Sequence, residues 1–382
     1  MRYALVAGEA SGDTLGAALM AALRQRDSQA TFVGVGGPKM RTAGLKTLAD
    51  AEELAVMGLT EVLAHLPRLL ALRARLRREL LTAGADVFIG IDAPEFNLGL
   101  ARWLKRRGLR TIQYVSPQVW AWRQGRVRTM GRAVDLVLCL LPFEKDFYRR
   151  HQLRAEFVGH PLADQYPLEV DREAARATLG VPVGARVLAV LPGSRTGEVS
   201  RLGADFAAAA REFVAAQKPG LRSIVLVPLV NEGVRTQFTA QAHAAGIAAE
   251  VRLLDGKAQL ALAAADVVLV ASGTATLETL LSKRPMVVAY RLGAVTAFLL
   301  RRLGLVKVPY FSQPNLLLGE RRVPEFFQEQ VRPAALAKAL VAELADPERV
   351  RALERRFLAQ HRLLRLDGAA NAAAAVLALL GR

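Results

Sequence analysis

The chain has 382 residues, two to three times a typical domain of ~150, so a single small module is excluded and two domains are the natural division. With 52% hydrophobic and 23% charged residues it can bury large cores, which excludes wholesale disorder. Lysine and arginine outnumber aspartate and glutamate by 52 to 35, and the net charge of +17 calls for an anionic partner: nucleic acid, an acidic membrane surface or a phosphorylated substrate.

Residues 3–7, 31–35, 87–91, 111–115 and 134–140 are apolar, β-branched runs, each followed by a turn and a helical pattern. The rhythm restarts after the proline-containing segment 160–182, with runs at 187–191, 223–227, 251–254, 267–271 and 286–290. Alternating strand and helix predicts an α/β fold of two doubly wound parallel-sheet domains. We place the first over 1–168 and the second over 169–345. Residues 346–382 are expected to be helices packing back on the first domain or on a partner subunit, because 368–381 is almost all alanine and leucine and must be buried. No charge-free run exceeds the 14 residues of 236–249 and 368–381, short of the ~18 a membrane-spanning helix needs. The opening MRYALVAGEASGD meets a glycine and an acid before a signal-peptide core can build up. The single cysteine, Cys139, lies in an apolar run with no second thiol, so a reducing, cytoplasmic setting is expected.

Two stretches interleave arginine with leucine. Arg68, Arg73, Arg75, Arg77 and Arg78 sit among Leu66, Leu69, Leu70, Leu72, Leu76 and Leu80 at roughly helical spacing, and 295–308 repeats the pattern. They read either as basic amphipathic helices for a membrane surface or as ordinary helices with solvated arginines. The basic clusters lack interleaved aromatics for base stacking, which disfavours nucleic acid.

The first run ends in Gly8-Glu9-Ala10-Ser11-Gly12-Asp13, with a helix expected to open at about Asp13. Ligands of open α/β sheets bind at such carboxyl edges. The loop resembles a phosphate cradle, but it lacks G-x-G-x-x-G spacing and carries two acids, so a sugar hydroxyl or acceptor suits it better. The competing reading is a tight turn with Ser11 or Asp13 as N-cap. Asp92 also ends a strand, in Asp92-Ala93-Pro94-Glu95, where apolar neighbours would raise its proton affinity for general-base work; a capping aspartate is the alternative. In the second half, Pro192-Gly193-Ser194-Arg195 and Ala271-Ser272-Gly273-Thr274 both join a strand to a helix. The first offers backbone N–H groups and an arginine fork for a diphosphate, and the second places Glu278 one turn inside its helix to hold ribose hydroxyls. There is no Asp-X-Asp pair or H-E-x-x-H and the five histidines are scattered, so no metal or other cofactor is expected, and a leaving diphosphate falls to helix N-termini and Arg195.

These residues match a family. GEASGD at 8–13, ELAVMG at 53–58, GIDAPEFN at 90–97, YVSPQVWAWRQGR at 114–126, LPFEKDFY at 141–148, FVGHPLAD at 157–164, LPGSR at 191–195, ASGTATLE at 271–278 and PNLL at 314–317 together resemble the lipid-A-disaccharide synthase family. Glu95 stands where the family usually has a second aspartate. The resemblance implies a GT-B glycosyltransferase of two Rossmann-like domains facing across a cleft. It would join UDP-2,3-diacylglucosamine to 2,3-diacylglucosamine 1-phosphate through a β-1,6 bond, with inversion and release of UDP.

Carried over by motif, Asp92 is the base. Glu9, Ser11 and Gly12 line the acceptor side, and Gly193, Ser194, Arg195, Ser272, Gly273, Thr274, Glu278 and Asn315 hold the nucleotide sugar. The resemblance also implies peripheral association with an anionic inner-membrane surface and a homodimer. The competing functions are another UDP-GlcNAc-using enzyme of the same architecture, a 2-epimerase or peptidoglycan-type transferase, and a non-catalytic basic protein binding anionic lipid or nucleic acid. The last leaves Asp92, Glu278 and the paired loops without a task.

Overall fold

The computed structural model describes residues 1–54, 59–122, 124–293 and 309–381, without the side chains of 52, 59–66, 121, 122 and 124. The segment 295–308 and most of the ELAVMG motif therefore lie outside the described residues. The chain forms two compact units: residues 1–164 with 364–382, and residues 165–363.

The first unit is built on a seven-stranded sheet: β1 (Arg2–Ala7), β2 (Thr31–Gly36), β3 (Leu45–Asp50), β4 (Val87–Ile91), β5 (Arg110–Tyr114), β6 (Leu136–Cys139) and β7 (Ala155–Phe157). All pairings are parallel, in the order 3-2-1-4-5-6-7. The second unit repeats the plan with β8 (Arg186–Leu191), β9 (Ser223–Leu229), β10 (Val251–Asp255), β11 (Val267–Ala271), β12 (Met286–Tyr290) and β13 (Glu325–Phe327), parallel in the order 10-9-8-11-12-13. Central strands such as β4 and β11 are buried at every residue, as expected of parallel strands covered on both faces. In each sheet the order reverses beside the first strand, between β1 and β4 and between β8 and β11. The crevice at the carboxyl ends of such a pair is where this fold binds ligands.

The C-terminal segment divides between the units. Leu353 and Phe357 of the Pro347–Leu364 helix are buried, and Arg284 faces its Glu354 at 3.7 Å within the second unit. The Gly368–Leu379 helix instead buries Ala372, Ala373 and Val376 in one core with Leu19, Met20 and Leu23 of the Ala10–Arg26 helix and Leu136 and Leu138 of β6. Part of its apolar surface is thus covered by its own chain, while Leu377 and Leu379 are half-buried.

The Leu59–Thr82 helix packs against β2 and the Pro94–Lys105 helix. Leu72, Leu76 and Leu80 are buried there, each contributing roughly 2 kcal/mol relative to exposure. Arg73 lies over the Phe96 ring at 4.9 Å and Arg77 over Trp103 at 5.6 Å. The Leu72, Leu76 and Leu80 face of this helix is therefore core-facing while Leu70 is half exposed, and two of the arginines that read as surface charge are stacked on aromatic rings. Cys139 is fully buried in β6.

Candidate functional site

In the first unit, Glu9 follows β1 as the N-cap and the helix opens at Ala10, earlier than the expected Asp13, with Asp13 N–H donating to the Glu9 carbonyl at 2.9 Å. Glu9 and Ser11 are exposed at the crevice, whereas Gly12 packs against Ala7 and Ile91. Neither Ser11 nor Asp13 caps this helix. Asp13 is buried, and its carboxylate accepts from the N–H groups of Lys39 and Met40, both at 2.9 Å, so it caps the short Pro38–Thr42 helix.

Asp92 leaves β4 in an unusual turn: Asp92 and Ala93 both take positive φ, 52° and 40°. Left-handed backbone costs a non-glycine residue on the order of 1 kcal/mol or more, and two in succession require a surround that fixes them. Asn97 Nδ2 and Gln113 Nε2 supply it by donating to the Asp92 carbonyl at 2.8 and 3.0 Å, while Asp92 N–H donates to the Tyr114 carbonyl at 2.9 Å. Next to it Val115 is also left-handed, at φ 73°, a conformation seldom adopted by a β-branched residue. Asn97 and Gln113 are buried, and among the described residues their carbonyl oxygens find no partner, so both amides are committed through nitrogen. The Asp92 carboxylate is half-buried, and desolvation lifts its proton affinity above the ordinary aspartate range against the lowering effect of the Ala93 N–H. Beside it the Glu95 carboxylate receives both Arg126 nitrogens, at 2.6 and 2.7 Å, which anchors a guanidinium near this turn.

In the second unit a cleft of about 430 Å³ gathers Gly193, Ser194 and Arg195 from the end of β8 with Ser272, Gly273, Thr274 and Glu278 from the end of β11. Glu198 also lines it, although the sequence reading gave it no role. Its Oε2 accepts from the N–H groups of Ser194 and Arg195 at 3.0 and 3.4 Å. Gly193 makes this wrap possible: its φ is +128°, and a Cβ there would stand 2.6 Å from that of Glu198. The loop nitrogens expected to hold phosphate thus already face a carboxylate, a motif signalled by an acid three residues past the N-cap of the Thr196–Ala215 helix.

Two donors in the cleft stay open. The Arg195 side chain makes no ion pair among the described residues, and Gly273, N-cap of the Thr274–Leu281 helix, supplies no side-chain cap for that helix's first N–H groups. Glu278 accepts from the Tyr166 hydroxyl at 3.4 Å, and burial raises its proton affinity despite that bond.

Asn315 does not join them. It is fully buried; its Nδ2 donates to the Val323 carbonyl and Glu325 Oε1, both at 2.9 Å, and its Oδ1 accepts from the N–H groups of Arg322 and Val323, both at 2.9 Å. Those four bonds exhaust an amide, so Asn315 brackets the 322–325 segment and has no group left for a nucleotide.

A model of the lipid-A-disaccharide synthetase family matches residues 3–376 of the chain. The lipid-A-disaccharide synthase of Xanthomonas campestris pv. campestris is 53% identical over 380 residues, covering 99% of this chain and 86% of its own. Among solved structures, the UDP-GlcNAc 2-epimerase of Neisseria meningitidis bound to UDP-GlcNAc aligns with a TM-score of 0.64 at 11% identity, covering 100% of this chain and 99% of its own. WaaG, a glycosyltransferase involved in lipopolysaccharide biosynthesis, aligns at 0.55 and 15%, covering 97% of this chain and 98% of its own. At such identities the structures share the fold alone, two Rossmann-like parallel-sheet domains of the GT-B class.

Proposed function

The chain belongs to the lipid-A-disaccharide synthetase family and is a glycosyltransferase, and from that premise we propose that it joins UDP-2,3-diacylglucosamine to 2,3-diacylglucosamine 1-phosphate through a β-1,6 bond, releasing UDP. The observation that carries the assignment of roles is the contrast between the two crevices. One holds a carboxylate of raised proton affinity in a braced turn; the other holds an open guanidinium, an uncapped helix start and a second carboxylate.

In this reading Asp92 takes the proton of the acceptor 6-hydroxyl as its oxygen attacks the anomeric carbon. The bond from that carbon to the diphosphate breaks, and inversion follows from the single displacement. A positioned base contributes roughly 10²- to 10⁴-fold. The negative charge that develops on UDP meets Arg195 and the N–H groups at Thr274 and Ala275, donors already in place before the reaction. Glu278 takes the ribose hydroxyls, Ser272 and the Gly193–Ser194 loop border the diphosphate, and Glu9, Ser11 and Gly12 border the acceptor. Glu198 holds the loop rather than the ligand.

We also infer a cytoplasmic enzyme that meets its acylated substrates at an anionic inner-membrane surface. The net charge of +17 supports that reading, and among the described residues no helix is long and apolar enough to cross a membrane. The homodimer rests on the family resemblance alone. The experiment is UDP release from purified protein given both acylated substrates in detergent, beside Asp92→Ala. Release by the parent and near-background release by the variant are expected; a folded parent that releases no UDP overturns the substrate assignment.

A further inference from the structure

Outside both crevices, the first unit carries a basic cavity that the transfer reaction does not use. It lies at the amino ends of β1, β2 and β3, the sheet edge opposite Asp92, and measures about 770 Å³, within the range of small-molecule sites. Arg2, Arg24, Lys46 and Arg78 line it around Phe32, with Glu79 as the one acid. Glu79 already faces Arg75, at 3.7 Å.

The cationic groups are partly pre-oriented. The Arg24 guanidinium stands 5.2 Å over the Phe32 ring and against Gly44, where a Cβ would lie 2.9 Å from its Nη2 and where φ is +93°. Arg2 is held by the Ala83 carbonyl. Arg24, Lys46 and Arg78 have no ion-pair partner among the described residues. Some basic residues elsewhere in this unit are paired, Arg41 with Asp50, Lys105 with Asp135 and Lys145 with Glu156, while others such as Arg110 and Arg154 have no ion pair among the described residues; what marks Arg24, Lys46 and Arg78 is that they line one concavity together. Like charges gathered in a concavity repel unless an anion joins them, and a stacked guanidinium keeps its fork of donors free for phosphate oxygens.

We propose that this cavity is a phosphate-binding subsite separate from the transfer chemistry, taking a phosphate group with two or more negative charges on a small molecule or on a lipid headgroup. Full-length protein saturated with UDP, so that the second-unit cleft is filled, is titrated with pyrophosphate by calorimetry at low salt. Co-sedimentation with phosphatidic acid vesicles forms the second arm. The parent is expected to bind at least one of the two probes. Arg24→Ala/Arg78→Ala should weaken that binding at least tenfold with UDP affinity unchanged and the protein still folded, and Lys46→Ala, which disturbs no described contact, should weaken it in the same direction. Loss in the pyrophosphate arm assigns a soluble ligand; loss in the vesicle arm alone assigns a headgroup. Variants that bind both probes like the parent, or a parent that binds neither, overturn the subsite. UDP binding that fails outright counts against the donor cleft instead.

Discussion

Gln113 Nε2 donates to the main-chain carbonyl of Asp92 at 3.0 Å and lies 3.3 Å from the carbonyls of both Tyr114 and Val115. One amide nitrogen therefore bridges the ends of β4 and β5, where three residues sit in left-handed backbone. If Asp92 is the base proposed above, Gln113 acts through it rather than on a substrate, as a positioning residue.

Replacing Gln113 with leucine keeps its bulk and removes the bridge. The Asp92 turn should relax toward ordinary backbone and move the carboxylate by a fraction of an ångström to an ångström. Displacements of that size cost up to about 10²-fold in rate. We expect Gln113→Leu to lower kcat about 10- to 100-fold while KM for the UDP-sugar, proposed above to bind at the other unit, stays within about twofold. Steady-state kinetics with each substrate varied makes the check; a rise in donor KM with unchanged kcat would remove Gln113 from this role.

Asp92 itself should govern the acid side of the pH–rate profile. A base acts when ionised, and burial raises the pKa of this carboxyl. The acid limb of kcat should therefore fall off above the ordinary aspartate range rather than within it. Asp92→Asn should abolish that limb and cost about 10²- to 10⁴-fold in kcat. An unshifted limb in the variant would mean that another group is the base.

Much of this arrangement is legible in the chain, and the exceptions share a cause. Ten strands announce themselves, nine of them because a parallel strand covered on both faces must be apolar throughout; the tenth, β10, is an edge strand, half-buried, that still reads through Val251, Leu253 and Leu254. β3, β7 and β13 do not: each lies at a sheet edge, β3 reads Leu-Lys-Thr-Leu-Ala-Asp with exposed positions, and the other two are three residues long. Asp92 can be picked out by its place after β4, yet nothing in Ile-Asp-Ala-Pro signals two successive left-handed residues. That geometry depends on Gln113, 21 residues away. Likewise Arg73 and Arg77 look like surface charge until Phe96 and Trp103 arrive beneath them from another helix.

Asn315 shows where a motif misleads. Read from PNLL it belongs with the nucleotide, whereas its four bonds hold the 322–325 segment in place. Asn315→Ala should leave buried donors and acceptors unpaired and destabilise the second unit by about 3 kcal/mol. UDP affinity of the folded protein should change less than about threefold. Denaturant unfolding beside UDP calorimetry distinguishes the two tasks, since a nucleotide ligand would lose UDP binding without losing stability.

Glu144 offers a test of the first unit's packing through pH. Its carboxylate is buried, accepting from Trp120 Nε1 at 3.1 Å and Leu141 N–H at 3.0 Å, which ties the segment after β5 to the Pro142–Arg150 helix. Burial nonetheless dominates those bonds and lifts its pKa from 4.5 to about 7. The native state therefore holds this proton more tightly than the unfolded chain. The stabilising contribution is fully present below about 4.5 and is lost as pH rises through about 7. His160 works in the opposite sense, since burial lowers it from 6.5 to about 4 and its stabilisation fades as pH falls through that window. Both effects are present in the parent, but only the first is removed in Glu144→Gln, whose amide oxygen can still accept from Trp120. The difference between variant and parent should therefore shift toward the variant by about 3 kcal/mol between pH 4.5 and pH 8, read from urea unfolding at several pH values. A difference that stays constant across that range would mean that Glu144 is ionised throughout and that its hydrogen bonds outweigh its burial.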